Sequence, residues 1–184
     1  PHGAEPGRLM DAGALTQARL LLVTGKGGTG KTTVASAIAV LMAAKGRRTL
    51  LCEVDNQRPS LDPIFGVSGG FAPVKVGERL DVANLVWPAS LVAYLTRMVP
   101  MARMVSAILE NELVRRFLDF VPGSQELVTV SAIVDQLEHY DCVVVDLPAS
   151  GHAFGMLDIT RAALDLFRGG PVRRRVEELR AAIR

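Results

Sequence analysis

The sequence predicts an α/β fold, a mostly parallel sheet flanked by helices, on three observations. The run Leu20-Leu21-Leu22-Val23 is apolar on both faces, as a central strand of a parallel sheet must be. A glycine-rich stretch, Gly25 to Thr32, follows it directly and opens an alanine-rich helical segment, which gives the strand–turn–helix order of a βαβ unit. Hydrophobic residues make up 49% of the 184 residues and aromatics only 5%, so the core is built from Ala, Leu, Val, Ile and Met, a composition suited to helices packed on such a sheet. The length fits one domain with a substantial core.

Residues 1–18 read as a flexible leader, because Pro1 to Gly13 is rich in Pro, Gly and Ala and has no apolar periodicity. The domain then occupies 19–184. Leu20 to Thr24 is its first strand. A helix follows from about Lys31 to Lys45, with Val34, Ile38, Leu41 and Met42 at helical spacing and Gly46 as its stop. Thr49 to Val54 is the second strand and completes the βαβ unit, with Asp55 at its carboxyl end. Asn56 to Gly70 carries Pro59, Pro63, Gly66, Gly69 and Gly70 and reads as a loop with a short helical turn around Leu61 to Phe65.

Leu80 to Trp87 is the third predicted strand, ended by Pro88. A helical insertion covers about 89–120, broken before Pro100 because proline disfavours helical backbone in the residue ahead of it. Its Met98, Met101 and Met104 stand three apart and suit core or dimer packing, or an adaptable client surface. Gln125 to Leu137 is a further helix with Ser124 as N-cap. Tyr140 to Asp146 is the clearest strand, β-branched and ending in a carboxylate. Beyond a loop from Leu147 to His152, Phe154 to Arg168 and Pro171 to Arg184 read as two helices, with Arg173, Arg174 and Arg175 solvated.

With 21 Lys+Arg against 19 Asp+Glu, the net charge of +2 gives no argument for a nucleic-acid partner. Cys52 and Cys142 each lie inside an apolar strand-like run, which makes them small buried hydrophobes. Neither belongs to a CxxC pair, which argues against a cysteine-built metal site and an oxidising compartment. No stretch approaches the roughly 18 apolar residues of a membrane span, and the N-terminus lacks the apolar core of a signal peptide, so a cytoplasmic location is expected.

The chemistry is concentrated in Gly25-Lys26-Gly27-Gly28-Thr29-Gly30-Lys31-Thr32. Only glycine-rich backbone wraps tightly enough for successive N–H groups to converge on one anion, and the following helix adds its positive end. The stretch is therefore a phosphate-binding loop, in which the backbone of Gly27, Gly28, Thr29, Gly30, Lys31, Thr32 and Thr33 cradles phosphates. Lys31 neutralises their charge and the Thr32 hydroxyl is a ligand for Mg²⁺. Asp146, at the end of a buried strand, is the acidic partner of that Mg²⁺. Asp55 falls on the same rim, where parallel sheets bind ligands, and is the candidate for orienting an attacking water. His152 reads as a conformational or partner contact ahead of a general base. The set implies a purine nucleoside triphosphate with Mg²⁺, taken as ATP.

Three stretches give a more specific resemblance. Lys26-Gly27-Gly28-Thr29-Gly30-Lys31-Thr32 resembles the deviant phosphate loop of the dimeric P-loop ATPases that include the arsenite-pump ATPase, the tail-anchored-protein targeting ATPase, MinD, ParA and the nitrogenase iron protein. Asp146-Leu147-Pro148-Ala149-Ser150-Gly151-His152 is similar to the second switch of the arsenite-pump and tail-anchored-targeting branch, and Glu53-Val54-Asp55 ahead of Leu61 to Gly66 to its first switch. The resemblance implies a P-loop NTPase fold and an ATPase that works as a dimer. It implies that Lys26 reaches the phosphates of the partner chain and that Asp55 is the water-orienting residue.

Two departures bear on the client. The first switch reads Asp55-Asn56-Gln57-Arg58-Pro59 where the family has Asp-Pro-Ala-His, and neither the metalloid-binding thiols of the arsenite pump nor the CxxC of the targeting dimer has a counterpart. The expectation is a homodimer, or a heterodimer with a related ATPase, that switches an unidentified protein client and meets membranes only indirectly. The alternatives are a nucleotide-dependent scaffold, an inactive partner of a heterodimer, and a ParA- or MinD-like positioning ATPase, from which Gly151-His152 points away. Because Arg184 falls ahead of the later strands that complete the sheet in these proteins, truncation at the C-terminal strands is part of the expectation.

Overall fold

The computed structural model describes residues 12–54, 58–98, 111, 124–148, 177 and 181. Its elements are helix α1 (Ala12–Gln17), strand β1 (Leu20–Val23), α2 (Lys31–Ala44), β2 (Thr49–Val54), α3 (Leu61–Phe65), β3 (Val74–Lys75), β4 (Leu80–Leu85), α4 (Trp87–Met98), α5 (Ser124–Gln136) and β5 (Cys142–Asp146). Among the described residues the strands form one five-stranded sheet in the order β1-β5-β2-β4-β3. All neighbours run parallel except β3, which pairs antiparallel with β4. The predicted parallel α/β fold of a P-loop NTPase is the fold observed.

The order shows what the sequence hid. The unit β1–α2–β2 skips one strand position, and β5 fills the gap, pairing Leu20 to Val23 on one side and Thr49 to Glu53 on the other. Strand β5 is consequently buried along its whole length, which explains its unbroken β-branched run. The two faces carry separate cores. Leu21, Leu51, Val82, Cys142 and Val144 pack with Ala35, Ala39 and Met42 of α2 and Leu61 of α3. Leu20, Leu50, Cys52, Val54, Val143 and Val145 pack with Val130, Ile133, Val134 and Leu137 of the α5 side.

Helix α2 spans the expected residues, but it buries a different face. Ala35, Ser36, Ala39 and Met42 are buried, whereas Val34 is 51% and Leu41 43% exposed. Alanines one turn apart let the helix lie close on the sheet, and at that distance the larger side chains on either flank are turned outward. The helix stops where predicted. Gly46 takes φ 85°, and its N–H and that of Arg47 donate to the Ala43 and Met42 carbonyls, the Schellman pattern that favours glycine.

Three further boundaries differ from expectation. Helix α1 falls inside the stretch read as a leader: Leu15 and Ala18 lean on the α2-side core, and the Arg47 guanidinium donates to the carbonyls of Thr16 at 2.8 Å and Ala18 at 2.7 Å. The third strand ends at Leu85, because Trp87 already starts α4, in whose first turn Pro88 costs nothing, its missing N–H being one that has no helical partner there. Strand β3 had no prediction, since a two-residue pairing at a sheet edge leaves no periodicity to read. Helix α4 packs on α5. The rest of the insertion at 89–120, apart from Asn111, and the two C-terminal helices lie outside the described residues.

Among the described residues, no helix is long and apolar enough to cross a membrane. The core on the α5 side includes Ile133 on the inward face of α5. Ile133 is fully buried in it, so Ile133→Ala should lower the unfolding free energy by about 2–5 kcal/mol, measured by urea denaturation.

Candidate functional site

The site is built where β1 ends and α2 begins. Gly30 caps α2 with φ 80° and ψ 22° and offers no side-chain hydrogen bond, so the N–H groups of the first turn are left for a ligand. A Cβ at Gly30 would meet nothing within 4 Å. Glycine is needed there for its left-handed backbone and not for space. The Lys26 carbonyl gathers the loop, accepting from Thr29 Oγ1 at 2.8 Å and from Lys31 Nζ at 3.3 Å. Lys26, Gly27, Gly28, Thr29, Gly30 and Thr33 are exposed, and Lys31 and Thr32 half-buried.

Strand register brings Asp146 to this loop. Val23 pairs with Asp146 across β1 and β5, and Thr32 Oγ1 donates to Asp146 Oδ2 at 2.5 Å although 114 positions separate them in the chain. Asp146 is only 8% exposed, and its other oxygen, Oδ1, is buried with no hydrogen-bond partner among the described residues. A cleft of about 250 Å³ opens here, lined by Lys31, Thr32, Glu53, Val54, Asp146, Leu147 and Pro148.

The donors are all oxygens, a hydroxyl and a carboxylate with an unmatched buried atom, which fits a hard divalent cation. Among the described residues no three His, Cys, Asp or Glu side chains gather as a closed metal cage.

The family model described as anion-transporting ATPase matches residues 18–179. This chain belongs to the anion-transporting ATPase family. It is 33% identical over 172 residues to ATPase BagA of Mycobacterium tuberculosis, an overlap that covers 86% of this chain and 50% of that one. It is 31% identical over 153 residues to a protein of Aquifex aeolicus provisionally named arsenical pump-driving ATPase 2, covering 78% and 50% respectively. The chain thus spans about half the length of these curated relatives.

As a member of the anion-transporting ATPase family, the chain bears out the resemblance read from Lys26 to Thr32 and from Asp146 to His152. Of the predicted site residues, the fold brings Lys31, Thr32 and Asp146 together at one cleft, and the loop from Lys26 to Gly30 leads into Lys31. Asp55 lies outside the described residues, as do Ala149 to His152 of the second switch. Both cysteines are buried and free. Burial pushes the Cys52 thiol far up, and the charges of Glu53 and Asp146 push the same way, so it remains a protonated thiol in the core.

Sequence reasoning did not single out Glu53. It is 3% exposed and lines the cleft beside Asp146, and its Oε2 accepts the Ser60 N–H at 3.0 Å. The signal was present: a carboxylate interrupts the otherwise apolar close of β2, Leu50-Leu51-Cys52-Glu53-Val54, where charge is rare without a reason.

Proposed function

We propose that this chain is the nucleotide-binding part of an ATPase, taking ATP with Mg²⁺, hydrolysing it in a dimer, and using the cycle to hold and release a protein client. The observation that carries the reading is the Thr32–Asp146 pair with its unmatched Asp146 oxygen, at the foot of an uncapped helix that follows a glycine loop. Membership of the anion-transporting ATPase family supports it, as do relatives whose names are ATPases.

In this reading the backbone N–H groups from Gly27 to Thr33 hold the phosphates, and Lys31 leaves the Lys26 carbonyl to meet them as a charge. Thr32 and Asp146 would hold Mg²⁺, which supplies charge stabilisation for the transferred phosphoryl group. Asp55 orients the water that attacks the terminal phosphorus; the bond from that phosphorus to the bridging oxygen breaks, and ADP leaves with phosphate. Lys26, exposed on the loop, acts on the nucleotide of a second copy or of a related chain. Work takes place in the cytoplasm, and a membrane is met only through a partner.

The test is phosphate release from Mg²⁺-ATP followed against protein concentration. Turnover per chain should rise steeply with concentration, because a site shared between chains is complete only in the dimer. A turnover independent of concentration removes the dimer from the proposal, and tight binding without release makes the chain a nucleotide-dependent scaffold.

A further inference from the structure

Three buried polar side chains form a row across three adjacent strands. Register pairs Asp146 of β5 with Glu53 of β2, and Glu53 with Asn84 of β4. Each stands two residues beyond a member of the α2-side core, Val144, Leu51 and Val82, so all three lie on that face of the sheet. Glu53 is 3% and Asn84 4% exposed. Apolar residues at these positions would extend the core at no desolvation cost, whereas two neighbouring carboxylates repel each other in surroundings that screen charge poorly. Local rules of this kind are broken where a site requires it.

Two members of the row have different business. Asp146, at one end, takes the Thr32 hydroxyl on Oδ2 and keeps a buried, unmatched Oδ1 at the cleft. Glu53, in the middle, accepts the backbone N–H of Ser60, the residue that caps α3, on Oε2. It also lines the same cleft as Lys31 and Asp146. We infer that Glu53 is a positioning residue that couples occupancy of the Thr32–Asp146 end of the cleft to the start of α3, by dividing its charge between the cleft and the Ser60 N–H. The inference deepens the proposed function and rests on it.

The direction of the coupling follows from the charges. In this structure Glu53 faces a like charge on Asp146 and leans its carboxylate on the Ser60 donor. With Asp146 engaged on Mg²⁺, the repulsion is lifted and Glu53 is drawn towards the cleft, so its hold on Ser60 weakens. Coupling between binding equilibria is reciprocal, so removing the Ser60 donor should shift Glu53 towards the metal. The exposed face of α3, where Ile64 points to solvent, would then feel the nucleotide state through one side chain.

Hydrogen exchange read by mass spectrometry on peptides containing Ser60 tests this, with and without Mg²⁺ and a non-hydrolysable ATP analogue. Exchange at Ser60 should quicken several-fold on binding in the native chain. It should not change in Glu53→Gln, which keeps an acceptor oxygen and drops the charge. Two titrations of Mg²⁺ at saturating analogue supply a readout that packing alone does not move. Glu53→Gln should raise the Mg²⁺ concentration for half-maximal binding by roughly fivefold or more. Ser60→Pro should lower it; the Ser60 backbone at φ −79°, ψ −21° already suits proline, so this change deletes the donor at a residue that does not line the cleft. Opposite shifts in the two variants establish the coupling. Shifts in the same direction, no shift in either, or an unaltered Ser60 exchange rate in the native complex overturn it and leave Glu53 a packing residue. A native chain that binds no Mg²⁺-nucleotide at all overturns the proposed function itself, a failure that is visible before any variant is made.

Discussion

Lys31→Ala should fold normally and lose ATP affinity by about 100-fold or more, the scale on which truncating one partner of a charge-assisted contact weakens a complex. The structure explains why the loss falls on binding alone. Lys31 lines the cleft, and its stem lies over Gly25, where an added Cβ would come within 3.6 Å of the Lys31 Cδ. Among the described residues its Nζ makes a single hydrogen bond, to the Lys26 carbonyl at 3.3 Å, on a loop that is otherwise exposed. Removing it therefore takes little from the fold, while bound phosphates lose the cation nearest their terminal charge. Calorimetric titration with Mg²⁺-ATP, run beside thermal denaturation, separates the two. Native-like affinity or turnover in this variant would sink the ATPase reading.

Asp146→Asn should abolish turnover, with a fall of about 100-fold or more, as losses of preorganised charge at a phosphoryl-transfer site do. The substitution keeps the volume and an oxygen that can accept from Thr32 Oγ1, so the Thr32 contact survives. What disappears is a buried negative charge next to Glu53 on the neighbouring strand. Relieving that repulsion should leave thermal stability equal or higher, because burying an uncompensated charge is costly. A variant that is as stable as the native chain yet catalytically dead, with its Mg²⁺ dependence gone, marks Asp146 as held for chemistry. Retained hydrolysis would remove the metal role from it.

What the sequence disclosed depended on the range of the forces involved. The loop from Gly25 to Thr32, helix α2, strand β5 and the α3 turn were all readable because each is fixed by local backbone preference or by periodicity. The burial of α2 was not, since the choice between Val34 and Ala35 as the inward residue is made by how closely the helix approaches the sheet. Pro88 was ambiguous in a similar way: proline ends a strand and starts a helix with equal ease, and Trp87 gave no vote between them. Glu53 escaped because its meaning lies in two cross-strand neighbours, Asp146 and Asn84, that no local window contains. For the site itself, spacing was enough to choose Lys31, Thr32 and Asp146, yet only the register of β1 with β5 accounts for their meeting.

The insertion of β5 between β1 and β2 also sets a timetable. Among the described residues β1 pairs with β5 alone, so a growing chain that has made β1, α2 and β2 holds two strands with an open slot between them. The slot closes only when residues 142–146 have been synthesised and threaded into place, a long-range pairing of the kind that forms slowly. The Thr32–Asp146 contact spans that same interval. If the proposed function holds, phosphate binding that needs both halves would be withheld from nascent and half-folded chains, and a nucleotide would be a ligand that only folded copies capture and that, by mass action, keeps them folded.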